Sequence, residues 1–515
     1  MDPRVSNALR DDDLLDVMPP DEPMSWVDTA WLRMDSASNL MLIVGIWMVQ
    51  PRVHYADVCR RVTACMRQYP RFMQRVRHDA TGYTWTLDPN FDIKRHVVPE
   101  TLHLAPGQDV QQALQDRLGE LAMQPLDLKH PLWQFHWVEQ IGPKVSVHPS
   151  AQAQRGSALL VRIHHCVADG MALMEVTHSL TDDGMALAAR RGPRRQQTMP
   201  APTPNLNALL QPLTRNVVGA LETAGDLAVN ALHGLRQPLQ SLQPGLKNSV
   251  QQGLEGGAAL ARQAAQGVRD AAALAFMFND SSTRLKGTLA GRKRVAWCAP
   301  LPLREVQAVA QGLHCSVNDV LLSCVTGALG AYLRDLGDSV AGQEIRAMVP
   351  VNLRSAQDLH QLGNKFGLAP VLLPLGLVHP VERLYEVRRR MADMKGGFQP
   401  LLSMGLLALG GALVQSGQDL LIKLFSSKTT AVVSNVIGPR NKMRFCGATV
   451  EQDLFWVPQS GSVGLGISIF SYGGNVQFGL IADTAFCPQP QDIVDRFEPE
   501  FAKLSWVALM LPWED

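Results

Sequence analysis

VRIHHCVADGMAL, residues 161–173, places two adjacent histidines at the end of an apolar run. The run that ends at His164 has the aliphatic composition of a buried strand, so the two histidines are expected at the strand's C-terminal end. Asp169 and Gly170 come four and five residues after His165, where a pattern typical of a helix begins. The stretch therefore predicts a strand, a short histidine-bearing loop and a helix, which together form one unit of an α/β fold.

His165 is the candidate for acid–base chemistry in this loop. Imidazole has an unperturbed pKa of about 6.5, so it can take a proton from an alcohol and return it to a leaving group near neutral pH. Asp169 is expected to accept backbone N–H bonds at the helix start and so to fix the loop. Gly170 is expected to let the backbone approach closely.

Other interpretations of the histidine pair are weaker or less specific. A metal site is not favoured, because neighbouring strand residues point to opposite faces and no third ligand is spaced nearby. An isolated His-His pair is equally typical of two partly exposed polar residues. The full string H-H-x-x-x-D-G, residues 164–170, is far more specific than the pair.

Composition limits the classes of function. The chain has 515 residues, which predicts two domains with room for a cleft between them. Lys and Arg number 48 and Asp and Glu number 47, so a net charge of +1 gives no global field for nucleic acid. The eight cysteines are scattered without C-x-x-C or zinc spacing, which predicts a reduced, cytoplasmic protein.

Targeting and membrane-spanning segments are not predicted. The N-terminal residues carry acids and prolines where a signal peptide needs a basic start and an apolar stretch. The apolar run from Leu401 to Val414 is well short of the roughly 20 residues that span a bilayer. No transmembrane helix is therefore expected.

Changes in composition and hydrophobic pattern along the chain predict four segments. Residues 1–23 look like a loose leader, and residues 24–188 mix strands and helices around the histidine loop. Residues 189–282 are basic, then Pro-rich, then rich in Ala, Gln and Gly, which indicates a connector. Residues 283–515 form a second α/β unit, in which Gly473-Gly474 between alternating apolar positions predicts a hairpin.

The connector has two possible roles. Its helical spacing fits an amphipathic helix packed on the two domains. It also fits an interfacial helix lying on lipid, because the apolar face is joined to a basic cluster of Arg190, Arg191, Arg194 and Arg195. The sequence leaves both open.

The string H-H-x-x-x-D-G resembles the signature of the CoA-dependent acyltransferase superfamily. Further segments resemble blocks of the bacterial wax ester synthase/diacylglycerol acyltransferase family, in that family's order. They are MSWVDTAWLRMDSASNLM (residues 24–41), PLDLKHPLW (125–133), VNDVLL (317–322), VPVNLR (349–354), LGNKFG (362–367) and SNVIGP (434–439). Together they cover most of the chain outside residues 1–23 and roughly 189–282.

The resemblance implies an α/β fold of two chloramphenicol-acetyltransferase-like domains. Each would be a mixed sheet with helices, and the site would lie in a channel at the domain interface. It implies an O-acyltransferase that moves a long-chain fatty acyl group from acyl-CoA to a fatty alcohol, giving wax ester, or to diacylglycerol, giving triacylglycerol. His165 would be the general base beside His164, without a covalent acyl-enzyme, cofactor or metal.

Several residues of these blocks are expected at or near the site. Asn318, just inside a helix start, could donate its amide to the oxyanion of a tetrahedral intermediate, which can be worth about 3 kcal/mol. Ser316 and Asp319 also fit a capping box, so Asp319 is expected to be structural.

The remaining block residues are expected to support the site. Arg354 is the predicted partner of Asp169, and Trp133 is expected to pack. Asn435, Gly438 and Pro439 are expected to shape a turn near the substrate tunnel.

Two alternative functions and the partners stay open at this point. One is a condensation-type acyltransferase for carrier-bound acyl groups, and the other is a non-catalytic lipid-binding or droplet-surface protein. The expected partners are acyl-CoA, the alcohol or diacylglycerol, and the inner membrane or lipid inclusions as a peripheral contact. The chain could be a monomer or a homodimer.

Overall fold

The computed structural model describes residues 21–80, 82–141, 156–185, 280–353, 362–395, 411 and 415–511. The elements up to residue 185 are β1 (Glu22–Pro23), α1 (Trp26–Arg33), β2 (Leu42–Gln50), α2 (Tyr55–Met66), β3 (Gln74–Asp79), β4 (Gly82–Leu87), α3 (Ile93–His96), β5 (Val97–Glu100), α4 (Val110–Leu121), β6 (Trp133–Ile141), β7 (Gly156–His164) and α5 (Gly170–Leu180).

Within residues 280–511 the described elements are β8 (Lys293–Trp297), β9 (Leu301–Pro302), α6 (Leu303–Gly312), α7 (Val317–Asp335), β10 (Glu344–Asn352), β11 (Phe366–Pro374), α8 (Pro380–Lys395), α9 (Gln415–Ser427), β12 (Ala431–Ile437), β13 (Arg444–Phe445), β14 (Ala448–Trp456), β15 (Leu465–Tyr472), β16 (Asn475–Asp483), α10 (Gln491–Val494) and α11 (Phe497–Met510).

The first large sheet has the strand order β13-β14-β2-β7-β6-β5. β7 lies near its middle and pairs antiparallel with β2 and β6, while β5 joins β6 in parallel. β7 is buried along nearly all its length, so both of its faces are covered, which explains its largely apolar sequence. The strand predicted to end at His164 is confirmed, and the sheet holds that end rigidly.

The second large sheet has the order β11-β10-β12-β15-β16-β8. β10, β12 and β15 run parallel, and the other pairs are antiparallel. One face packs against α7, whose residues are almost all buried in a core of aliphatic side chains. The fold is therefore α/β with two mixed sheets, as predicted.

The predicted hairpin is confirmed between β15 and β16. Tyr472 pairs with Asn475 across the two-residue turn. Gly473 and Gly474 have φ of +58° and +81°, the left-handed region that a tight turn between antiparallel strands requires and that glycine enters without strain.

Two strands from the C-terminal half, β13 and β14, lie in the N-terminal sheet. β14 pairs antiparallel with β2, with Phe455 opposite Gly45. A Cβ atom at Gly45 would lie 2.9 Å from the carbonyl oxygen of Leu454, so glycine permits the close approach of the two strands. The predicted boundary at residue 283 divides the chain into two consecutive segments, but the first sheet contains strands from both of them.

The last two residues of the predicted leader segment form a strand. Glu22–Pro23 forms β1, which pairs with β4, and the Glu22 carboxylate lies 3.0 Å from Arg71. Residues 1–20 and the greater part of the predicted connector, 186–279, lie outside the described residues. Within the described part of the chain, no single helix is long and apolar enough to cross a membrane. The pair α6 and α7 is long and apolar enough only when the two helices are taken together, and their axes are bent by 98° at the break between them.

A buried lysine joins the two halves. Lys293, at the start of β8, donates from Nζ to the side-chain oxygens of Asn39 and Gln459, each at 2.5 Å. Asn39 precedes β2 and Gln459 follows β14, so the contact ties the second sheet to the first. Burial lowers the pKa of Lys293 to about 7, and the charge of Asp483 opposes this shift.

Lys293→Met is expected to change how stability depends on pH. From about pH 7 to about pH 10 the unfolded chain binds a proton at Lys293 that the folded chain does not. Lys293 therefore makes the free energy of unfolding of the wild type rise with pH over this range. The methionine variant lacks that gain. The difference between the melting temperatures of variant and wild type should therefore shift in favour of the wild type over this range.

The control is Lys94→Met, which alters an exposed lysine of α3, and the pH-dependent change should be larger for Lys293→Met than for this control. Parallel wild-type and Lys293→Met curves would contradict the assignment.

Candidate functional site

The sheet fixes the backbone of both histidines. The N–H of His164 donates to the carbonyl of Leu132 at 2.9 Å, and the N–H of His165 donates to the carbonyl of Met41 at 2.7 Å. The two histidines are thus held from the β6 side and the β2 side in turn. Both are almost fully buried.

The ring of His165 stacks on an aromatic side chain. Its centroid lies 4.1 Å from that of Trp31 with an interplanar angle of 9°, and 5.4 Å from that of Phe366 at 34°. Only 3% of His165 is exposed. Burial lowers its pKa to about 4, while its own backbone carbonyl, the charge of Asp169 and Asn364 oppose this shift. The imidazole is therefore neutral at physiological pH.

The ring of His164 has different neighbours. Its Nδ1 accepts a hydrogen bond from the backbone N–H of Cys166 at 3.2 Å, and its Nε2 lies 3.3 Å from Oδ1 of Asp35. The same Asp35 oxygen accepts from the N–H of Met41 at 2.6 Å. His164 thus braces the loop whose Met41 carbonyl binds His165.

Asp169 caps α5, as the sequence predicted. Oδ1 accepts from the N–H of Ala172 and Oδ2 from the N–H of Lys365, each at 2.9 Å. Its own N–H donates to the carbonyl of Gly363 at 3.3 Å. The carboxylate therefore joins the histidine loop to the loop before β11. The predicted partner, Arg354, lies outside the described residues.

The expectation for Gly170 is wrong among the described residues. No described atom lies within 4 Å of a Cβ built at this position, so the glycine does not serve a close approach of the backbone. Gly170 is the first residue of α5.

A buried amide bridges His165 to the start of the first domain. Nδ2 of Asn364 donates to the backbone carbonyl of His165 and to Oδ1 of Asp28, both at 2.8 Å. Burial raises the pKa of Asp28, and Arg71, whose Nη1 lies 3.8 Å from Oδ2, opposes the shift together with Asn364. Arg71 lies over the ring of Trp85 at 4.4 Å.

Asn318 and Asp319 lie at the start of α7. Ser316 and Asp319 form the predicted capping box: Oγ of Ser316 accepts at 3.2 Å from the N–H of Asp319, whose Oδ2 accepts at 2.9 Å from the N–H of Ser316. The side-chain oxygen of Asn318 accepts from Nδ2 of Asn435 on β12. This bond uses the oxygen of Asn318 and leaves its Nδ2 group to donate elsewhere.

The other predicted residues contribute packing and turns. Trp133 is fully buried, stacks on His96 with centroids 4.5 Å apart and donates from Nε1 to the carbonyl of Phe72 at 2.9 Å. The N–H of Gly438 donates to Ser471, and the carbonyl of Pro439 accepts from Gly473, so both hold the β15–β16 hairpin.

Sequence reasoning missed four residues around His165: Asp28, Trp31, Asn364 and Phe366. All four lie in the blocks of residues 24–41 and 362–367, which were noted only as points of resemblance. Their side chains gave no sign of their partners, because the contacts join positions more than 130 residues apart in the chain.

The geometry is thus two mixed sheets, the first of which takes strands from both halves of the chain, with a buried histidine just after the end of a central strand. The wax ester synthase/diacylglycerol acyltransferase from Marinobacter aquaeolei has a similar fold, with a TM-score of 0.61 at 18% identity over 95% of this chain and 100% of that one. The starter condensation domain of rhizomide synthetase gives a TM-score of 0.53 at 14% identity, over 98% and 97% of the two chains.

Sequence comparison identifies the family. Residues 24–321 match the wax ester synthase/diacylglycerol acyltransferase catalytic domain, and residues 362–505 match the C-terminal domain of the same family. A Mycobacterium tuberculosis protein named "Probable diacyglycerol O-acyltransferase tgs1" is 27% identical over 447 residues, 85% of each chain. The chain belongs to the wax ester synthase/diacylglycerol acyltransferase family and is an acyltransferase.

Asn364→Ala is expected to lower stability. The substitution removes both hydrogen bonds donated by the amide and leaves Asp28 buried with a weaker set of partners, which should reduce the free energy of unfolding by about 1–3 kcal/mol. Thermal or urea unfolding of the purified variant measures this. Asn90→Ala, at an exposed position, is the control and should change little. Equal stability of the two variants would show that the bridge contributes nothing.

Proposed function

We propose that this protein transfers a long-chain fatty acyl group from acyl-CoA to the hydroxyl of a fatty alcohol or of diacylglycerol. The observation that carries the proposal is the neutral imidazole of His165, fixed at a strand end in a chain of this family. The names of the Marinobacter and Mycobacterium relatives support both acceptor classes. Both acceptors present a hydroxyl to the same base. What distinguishes them is the shape of the tunnel that each needs.

In the proposed reaction, His165 is the general base. Its Nδ1 is enclosed by protein, which leaves Nε2 to meet the acceptor. Nε2 takes the hydroxyl proton as the alcohol oxygen attacks the thioester carbonyl carbon, giving a tetrahedral intermediate. When this collapses, the C–S bond breaks, the ester forms, and the CoA sulfur receives the proton from the imidazolium. No acyl-enzyme forms.

The surrounding residues have supporting roles in this mechanism. A pKa of about 4 keeps His165 in its basic form before each turnover. The negative charge of Asp169 favours the imidazolium that forms transiently. Asn318, oriented by Asn435, would donate from Nδ2 to the oxyanion. The channel that brings both substrates to His165 is part of the proposal.

The substrates also determine where the enzyme works. Acyl-CoA and a long-chain acceptor concentrate at lipid surfaces, so the protein is proposed to act in the cytoplasm as a peripheral protein of the inner membrane or of lipid inclusions. The arginine cluster at residues 190–195, a predicted contact, lies outside the described residues. Monomer and homodimer are both compatible with this scheme.

The direct test is His165→Ala. Wild-type protein with palmitoyl-CoA and either hexadecanol or dioleoylglycerol should release free CoA and form ester, and the variant should lose at least about a hundredfold in rate because the base is gone. An assay with both acceptors in competition measures which of them the enzyme prefers. Melting temperature is the control and should change little. A variant that keeps its rate would refute the base assignment.

Trp31→Leu is expected to change the pH dependence of the rate. Burial lowers the pKa of His165 by disfavouring its charged form, so removing the stacked ring should raise this pKa from about 4 toward the ordinary value of 6.5. The acidic limb of the kcat/KM profile should move to higher pH, and activity near pH 6 should fall. Trp31→Phe keeps an aromatic cover and should stay near the wild type. Identical acidic limbs in the leucine variant and wild type would contradict the role of the stack.

A further inference from the structure

The C-terminal end of α11 exposes a cluster of large apolar side chains. The helix buries Phe497, Phe501, Leu504 and Ala508 on one face. At its last turn the exposed fractions are 64% for Trp506, 60% for Leu509 and 80% for Met510. We call these three residues the α11 tip. Single exposed apolar residues are common on proteins, but three on one helix turn form a continuous patch.

The helix differs strongly in polarity between its two ends. Its first turn carries Glu498, and Asp492 and Asp495 lie just before it. From Glu498 to Met510 the axis rises by about 18 Å at 1.5 Å per residue. The acidic end therefore lies far from the tip, and the helix can meet an apolar phase with its C-terminal end while its acids stay in water.

The turn between α6 and α7 lies next to the last turn of α11. A Cβ built at Gly312 lies 3.6 Å from Cβ of Ala508, which places the tip beside the turn between α6 and α7. On that turn the carbonyl of Leu313 accepts a hydrogen bond from the half-exposed Tyr385 at 3.2 Å. His314 is exposed at the same turn.

Two basic residues lie on the neighbouring part of the surface. Arg388 is exposed on α8, three residues after Tyr385 and so on the same side of that helix. Lys503, one turn before Trp506, has half of its side chain exposed and lies 2.6 Å from Glu500. Glu500 is itself buried and paired with Arg383. Tryptophan and tyrosine with lysine and arginine are the residues that anchor proteins at a lipid–water interface.

We propose that the α11 tip, with Tyr385 and the cations Arg388 and Lys503, is the surface that docks this protein on an anionic lipid layer. A helix end that projects apolar side chains inserts into a layer of acyl chains, and the neighbouring cations complement anionic headgroups. The inference rests on the proposed function, because lipid is where its apolar acceptor is found. It assigns the contact to α11.

Flotation of the full chain with vesicles tests the assignment. The vesicles contain phosphatidylcholine and phosphatidylglycerol at about 7:3, a composition chosen to supply negative headgroups. The tip variant Trp506→Ser/Leu509→Ser/Met510→Ser should lose at least about tenfold in vesicle affinity, because its inserting side chains are gone. The matched control, Leu104→Ser/Leu128→Ser/Val378→Ser, removes three apolar residues of 51%, 54% and 57% exposure and should bind as the wild type does.

Other outcomes decide against the assignment. Equal flotation of the tip variant and wild type would overturn it, as would a tip variant that turns a dimer into a monomer in sedimentation, since the patch would then bind a second copy. If the wild type bound equally well to vesicles of phosphatidylcholine alone, the proposed contact between the cations and anionic headgroups would be overturned. The result stays separable from the proposed function: with detergent-dispersed hexadecanol the tip variant should keep the wild-type rate, whereas absence of transfer by both proteins would refute the function and leave the flotation result standing.

Discussion

The stacking of His165 on Trp31 is the contact on which the rest of the site depends. A histidine at a strand end in water would be partly protonated near neutral pH. Burial beside Trp31 and Phe366, whose own ring centroids lie 5.9 Å apart, lowers its pKa to about 4, and the stack on Trp31 orients the ring. The base is therefore both available and fixed before a substrate arrives, which reduces the reorganisation that the reaction requires.

The two sheets hold this contact together. Trp31 comes from α1, His165 from the end of β7 and Phe366 from β11 of the second sheet, so the aromatic cluster itself crosses the domain boundary. Asn364 adds a hydrogen-bonded bridge and β14 adds a covalent crossover from one sheet to the other. Lys293 reinforces the same boundary at the Asn39 loop, two residues before the Met41 carbonyl that binds His165.

Local features were predictable from the sequence because their causes are local. The β7 strand, the Gly473-Gly474 hairpin, the Ser316–Asp319 cap and the capping role of Asp169 each follow from a short run of residues. The placement of β14 was not predictable, because the apolar pattern of a strand does not say which sheet it joins. The partners of His165 were missed for the same reason: a tryptophan and an amide become specific only when the fold brings distant positions together.

A crystal structure with an unreactive acyl-CoA analogue and hexadecanol would test the central claim most directly. The account predicts an open passage to the buried ring, with the alcohol oxygen about 2.6–3.2 Å from Nε2 of His165 and near the thioester carbonyl. A ring that stays sealed by Trp31 and Phe366, with the alcohol bound elsewhere, would contradict it.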